Sequence, residues 1–258
     1  GYLSDTWKNN NLSISTGRNY FDGWKENESF TIFPIATLAD TNRRKKWKPK
    51  EQLFIKLKHE LTNGSVKILS DYENFHETIS NKGNPRNPYY ITAFDELYIT
   101  KRNKLSYSVK WNISEFTKFN SIISRSFYQR IKSRFFIDLT TLQSEIINKS
   151  VDVDTSEFYL TLHRSELSFD LNKKINARIG YDFNYEQSVG NRIQNKLQDQ
   201  GDYAFFTTAE FTATKKFFIR PGIRWSHNTN YNSPVIPSIN TKINFGKNII
   251  RTSWSKGF

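Results

Sequence analysis

The sequence holds no cysteine and no methionine. Without cysteine there can be no disulfide, no thiolate metal site and no cysteine nucleophile. The missing methionine includes position 1, where Gly1 stands, so the expectation is a processed chain or a fragment whose leader is out of view. Proline and glycine are scarce, 7 and 11 residues among 258, which excludes a collagen-like or low-complexity chain. No run of about 18 apolar residues occurs, so no transmembrane helix is predicted; a β-barrel needs no such run.

What the chain does contain is aromatic and basic. Phe 21, Tyr 13 and Trp 6 make up 16% of it, although only 36% is hydrophobic and the mean hydropathy is −0.68. The net charge of +13 would attract nucleic acid, anionic lipid or an acidic ligand. That charge is spread along the chain, and the one dense basic run is NRRKKWKPK at 42–50.

The ordering signal is a period of two. In KINARIGYDFNYEQ (174–187), Ile175, Ala177, Ile179, Tyr181, Phe183 and Tyr185 alternate with Asn176, Arg178, Asp182, Asn184 and Glu186. One face is apolar and the other polar, as in a β-strand between two environments. The same alternation recurs at 105–113, 203–213, 217–225 and 235–245. It predicts about twelve antiparallel strands, near 12–20, 29–39, 51–62, 65–76, 95–113, 119–138, 157–171, 174–187, 203–214, 217–227, 235–246 and 249–258. The odd phase holds across Arg102-Asn103-Lys104, so 95–113 is read as one strand. A phase slip near His163–Glu166 is read as a β-bulge. LQSEIINKS (142–150) is read as loop.

Connections separate two architectures. Tight turns are expected at Asn63-Gly64, Asn172-Lys173, Lys215-Lys216 and Lys247-Asn248. Between them lie long polar connections, near 77–94, 140–156, 188–202 and 228–234. Short turns at one end and long loops at the other describe an outer-membrane barrel. A soluble sandwich or meander lacks that order, and its strands run to about five or six residues rather than ten or more.

The C-terminal third carries a resemblance. Asp202-Tyr203-Ala204 opens a strand that runs to Glu210; PGIRW follows at Pro221–Trp225, then Tyr231, then Pro237-Ser238-Ile239-Asn240. Arg251, Ser253, Gly257 and Phe258 close the series. In order and spacing these motifs resemble the barrel of TonB-dependent outer-membrane receptors, firmly over 202–258; SISTGRNYFDGW (13–24) and SFYQRIKSRFFIDL (126–139) resemble Bacteroidetes-type members more loosely. The family's positions here are Pro221, Gly222, Arg224, Pro237, Asn240, Arg251, Gly257 and Phe258. The family continues with Arg-Ala-Pro where this chain stops. The resemblance implies an all-β, up-and-down transmembrane barrel, of which 1–258 would be roughly twelve strands out of a 22-strand type, without plug domain, TonB box or later strands. It implies active uptake of a scarce solute of the iron-siderophore, haem or cobalamin class across the bacterial outer membrane. The partners would be TonB through the absent plug, an anionic or metal-chelate solute, and outer-membrane lipid and lipopolysaccharide. Two other readings stay open: a soluble basic all-β module for glycan or nucleic acid, and a complete small barrel ending at Phe258.

No catalytic constellation stands out, so no enzyme and no cofactor are expected. His59, His76, His163 and His227 are scattered, and there is no G-x-S-x-G. Asp152 and Asp154 in VDVDTSE are weak oxygen ligands for Ca²⁺, with a solvated loop as the plainer reading. Charges and aromatics fall on opposite faces, which argues against stacking on nucleic-acid bases. The inward even positions Arg178, Arg220, Arg224 and Lys242 are the candidate contacts to plug or ligand.

Overall fold

The computed structural model describes residues 1–24, 43, 47–147 and 153–256. Among them thirteen strands form one antiparallel sheet. They are β1 (Tyr2–Trp7), β2 (Asn10–Phe21), β3 (Lys50–Asn63), β4 (Val66–Lys82), β5 (Thr92–Asn112), β6 (Thr117–Asp138), β7 (Ser144–Ile146), β8 (Asp154–Asn172), β9 (Ile175–Gly190), β10 (Leu197–Thr212), β11 (Phe217–Asn228), β12 (Ile236–Phe245) and β13 (Asn248–Ser255). Each pairs with the next in sequence, save that the short β7 pairs only with β6 and lets β6 pair with β8. The path begins at β1 and ends at β13, and no pair among the described residues joins those two strands.

Alternation forms these strands, and tight turns set their register. Gly64-Ser65 closes the Asn63↔Val66 pair, and Gly246-Lys247 closes Phe245↔Asn248. Both glycines have φ near +55°, a region a side chain resists. Lys173-Lys174 closes Asn172↔Ile175, and Lys8-Asn9 closes Trp7↔Asn10. The turns expected at Asn63-Gly64, Asn172-Lys173 and Lys247-Asn248 thus fall one residue from their dipeptide signals, while Lys215-Lys216 lies where expected, between Thr214 and Phe217, whose backbones bond to each other. The residues at 95–113 do form one strand: β5 runs unbroken through Arg102-Asn103-Lys104 for 21 residues.

Other expectations need correction. β1 was not expected; its apolar-face row is Leu3, Asp5 and Trp7, so the acid breaks the pattern. β7 lies within the segment read as loop. The strand expected at 29–39 lies outside the described residues. No bulge occurs at His163–Glu166: both neighbours pair with β8 in one register through those residues, and the irregularity sits between Asp170 and Asn172. Backbone register holds there while the chemistry of the two faces inverts. The connections expected near 77–94 and 188–202 are also shorter than expected, because β4 reaches Lys82, β5 starts at Thr92, β9 reaches Gly190 and β10 starts at Leu197. A tilted strand crosses a bilayer in about nine to eleven residues, and β6 has 22. The upper halves of β4–β6 therefore stand beyond any hydrocarbon layer.

The sheet is a single layer, and this answers what its apolar face packs on. Among the described residues only Ala93, Leu139 and Ala204 are fully buried apolar side chains. Ile179 is 53% exposed, Phe205 58% and Trp225 50%. Phe205 stacks on Trp225 with centroids 6.0 Å apart, and Phe183 and Tyr203 sit at 5.2 Å. Among the described residues no second sheet covers this aromatic band, as a soluble sandwich would require. An apolar face of this extent in water would drive association.

Candidate functional site

The polar face is where chemistry collects. Arg178, Arg220, Arg224 and Lys242 all lie on it, on β9, β11 and β12, as alternation requires. Register then decides what each one meets. Arg164 stands directly across from Asp182 and pairs with it at 3.2 Å. Arg224, two strands away on β11, reaches the other oxygen of Asp182 at 2.6 Å. Between them on β10 is Ala204, paired with Asp182 and Ser226, and a larger residue at that point would stand in the guanidinium's way. Arg220 donates to Glu210 through Nε at 3.0 Å and also through its terminal nitrogen. Arg178 is loosely paired to Glu166 at 3.8 Å. Three of the four expected cations are thus engaged within the wall.

Lys242 is different. Its ammonium lies 4.8 Å from the Phe218 ring centroid, and its cross-strand partner is Arg251. Two like charges directly opposite destabilise a sheet unless an anion joins them. A cavity of about 410 Å³ opens there, lined by Glu210, Arg220, Asn240, Lys242 and Arg251. A second, of about 670 Å³, is lined by Asp182, Asn184, Asp202, Arg224 and Tyr231. The two cavities hold the family-motif positions Arg224, Asn240 and Arg251. Asn240 accepts a hydrogen bond from Ser253 at 2.7 Å. Pro221 explains a lapse in pairing: the β10–β11 ladder runs from Thr208↔Gly222 to Phe211↔Ile219 with nothing between, because proline offers no N–H. Gly222 and Pro237 face each other's strands on β11 and β12. Gly257, Phe258 and Asp152 lie outside the described residues. Asp154 pairs with Arg192 at 3.2 Å, and no group of three acidic or histidine side chains suited to a metal occurs among the described residues.

Sequence reasoning missed a column of cations laid on rings. On the upper polar face Arg134 and Arg86 flank Phe94 at 4.3 and 4.4 Å, and Arg130 lies over Tyr98 at 5.0 Å. Arg102 lies between Phe75 and Tyr128, at 5.7 and 5.8 Å. The signal was present in the shared even phase of Phe94, Tyr98, Arg102, Tyr128, Arg130 and Arg134. Beside this column Glu96 gathers Lys132 at 2.9 Å, Tyr98 at 2.9 Å and Asn81 at 3.0 Å. Burial pushes its carboxyl up, and these three donors more than offset that, so it titrates below the usual range.

Glycine lets aromatic rings lie flat on this face. A Cβ on Gly17 would sit 2.2 Å from Cζ of Phe54, and one on Gly180 would sit 2.5 Å from Cζ of Phe206. The polar face is therefore smooth where these rings lie, with charge standing between them. Such a surface sets fixed cations between flat rings, an arrangement that suits an anionic group.

No family model matches the chain, and no curated protein does. Solved structures do. The FrpB iron transporter from Neisseria meningitidis (F3-3 variant) aligns over 98% of this chain and 42% of its own, with TM-score 0.65 and 10% identity. BauA, the ferric preacinetobactin receptor from Acinetobacter baumannii, aligns over 98% of this chain and 45% of its own, with TM-score 0.54 and 9% identity. At such identity the likeness is one of fold. The chain spans less than half the length of these structures.

Proposed function

We propose that this chain forms part of the wall of an outer-membrane receptor that takes up a scarce anionic or metal-chelate solute at the expense of TonB-transmitted energy. The protein resides in the outer membrane. The observation that carries the reading is the single-layer sheet itself. One face is an uncovered aromatic band and the other an ion-paired, ring-lined wall, in a strand order shared with an iron transporter over 98% of the chain. A bilayer supplies what the apolar face lacks, and a water-filled lumen or plug domain supplies what the polar face needs. On this reading Lys242 and Arg251 hold an anionic group at the turn end of the lumen, while Arg178, Arg220 and Arg224 keep the wall rigid through their carboxylates. The remaining partners are TonB, acting through a plug domain, and outer-membrane lipid. The wall contributes binding and shape; the work comes from the inner-membrane proton gradient.

Uptake in whole cells tests this. Labelled ferric siderophore, haem and cobalamin are supplied to cells with and without the gene, with and without a protonophore. The expected result is one solute whose entry needs both the gene and an energised inner membrane. Entry that ignores the protonophore would make the wall a passive pore, and no gene-dependent uptake of any of the three would overturn the solute class.

A further inference from the structure

The polar, lumenal face carries one run of three apolar side chains in succession among the described residues. Phe158, Leu160 and Leu162 form it on β8, and the positions beside them on β9 are Ser188, Glu186 and Asn184. On the other side β6 offers Tyr128, Ser126 and Ser124, and beyond it β5 offers Arg102, Lys104 and Ser106. Phe158 is 45% exposed, and its ring meets that of Tyr128 at 5.8 Å. The two serines of β6 are short, so Leu160 and Leu162 stand along a trough. One rung lower its floor is Ile122, 40% exposed, paired with Ser108 on one side and Arg164 on the other. A cavity of about 490 Å³ opens there, lined by Ser108, Lys110, Asn120, Ile122, Arg164 and Glu166. From Ser126 to Ile122 the trough runs for about 14 Å, the rise of four strand residues.

The two ends of the trough differ in charge. At the top Arg102 lies between the Phe75 and Tyr128 rings, and neither it nor Lys104 makes an ion pair among the described residues. The acid across from Lys104 is Glu73, which Lys56 holds at 2.8 Å. Three cations therefore stand around one carboxylate. At the bottom Arg164 is paired with Asp182 and Glu166 with Arg178, which leaves Lys110 as the one unmatched charge in the cavity lining among the described residues.

We propose that this trough takes the alkyl chain of an amphiphilic anion, with the head group on Arg102 and Lys104 and the chain laid along Leu160 and Leu162 down to Ile122. The solute of the proposed uptake is then an alkyl-bearing anion or chelate, and not a compact hydrophilic one. Charge places the head at the top, because a guanidinium held between two rings presents its free edge to an oxyanion and Lys104 adds a second donor. Hydrophobicity places the chain below it, since leucines that face a water-filled lumen gain from any hydrocarbon that covers them. Size excludes a folded protein as the occupant. Two strand spacings by the length of the trough make about 130 Å², against roughly 800 Å² per partner in a stable interface.

The inference rests on the outer-membrane reading, and one experiment separates the two. The full-length protein in phospholipid vesicles is photolysed with decyl phosphate carrying a diazirine at the end of its chain, and the labelled residues are read by peptide mass spectrometry. Alternation tells the faces apart: Leu160, Leu162 and Ile122 report the trough, and Ile179 and Phe205 report probe dissolved in the bilayer. The expected result is saturable labelling of the trough residues, competed by unlabelled decyl phosphate and by neither decanol nor inorganic phosphate, beside unsaturable labelling of Ile179 and Phe205. Trough labelling should fall about tenfold in Leu162→Asn and several-fold in Lys104→Gln, and the second variant answers if the first fails to fold. Trough labelling that is absent, that never saturates, that decanol competes equally, or that is unchanged in both variants overturns the inference; the membrane reading stands as long as Ile179 and Phe205 are labelled. A cross-link from Leu162 to another segment of the same chain, in place of the probe, overturns it as well. A protein whose Ile179 and Phe205 stay unlabelled overturns both.

Discussion

Ile179→Arg has a very different cost in the two environments the apolar face could have. Ile179 sits mid-band on β9, beside Thr207 and Leu167, and is 53% exposed. Were that exposure to water, an arginine would extend into solvent with its stem along the sheet and change stability by less than about 0.5 kcal/mol. In lipid, a charge at mid-depth costs about 2–4 kcal/mol on a barrel strand, which is roughly thirty- to a thousand-fold in the folding equilibrium. The neighbouring Arg178→Ile provides the control, since it faces the other way and loses only a 3.8 Å contact to Glu166, worth under about 1 kcal/mol. The assay is denaturant titration of the protein folded into phospholipid vesicles, followed by tryptophan fluorescence. Ile179→Arg should move the midpoint sharply down and Arg178→Ile hardly at all. Equal, small shifts for both variants would refute the lipid-facing assignment of the whole band, because Ile179 is continuous with it on either side.

Gly17→Ala should destabilise by about 1–3 kcal/mol, since its Cβ would meet the Phe54 ring at 2.2 Å; Phe54→Leu should restore most of the loss. Gly180→Ala should not be rescued by Phe206→Leu, because the Ser165 carbonyl oxygen at 2.4 Å remains in the way; thermal melts of the four variants decide both points. Asp182→Ala strands Arg164 and Arg224 together and should cost about 1 kcal/mol at low salt, shrinking as salt rises. At the top of β6, the Thr140 hydroxyl and then the Thr140 and Thr141 amides donate to Asp138 and hold its carboxyl below the usual range. Its contribution is therefore present above the ordinary carboxylate pKa and is lost as pH falls through the lowered value. Asp138→Asn should flatten that acid limb in the exchange of the 139–143 amides.

Periodicity located the faces because a strand's side chains alternate whatever covers them. It succeeded on β9 from Ile175 to Tyr185 and on β5 from Leu105 to Trp111, where each face keeps one chemistry. It failed on β8 for an instructive reason. The apolar residues move from Leu167 and Phe169 to Phe158, Leu160 and Leu162, and a reader who equates a face with a polarity must insert a residue to keep them together. The backbone inserts none; the environment changes instead, and a change of environment has no period. The ionic partners were hidden differently. Arg224 and Asp182 are 42 residues apart and two strands removed, and their meeting depends on two registers at once and on Ala204 leaving the way clear between them. Alternation says which side a charge is on, and two-residue turns say how far the strands are offset. Only the accumulated offset across β9, β10 and β11 says which acid an arginine meets, and a shift of one pair at any turn would hand Arg224 a different partner. The lone cations, Lys242 and Arg251, were therefore the least legible residues, because lacking an acid is a property of the whole register and of no local stretch.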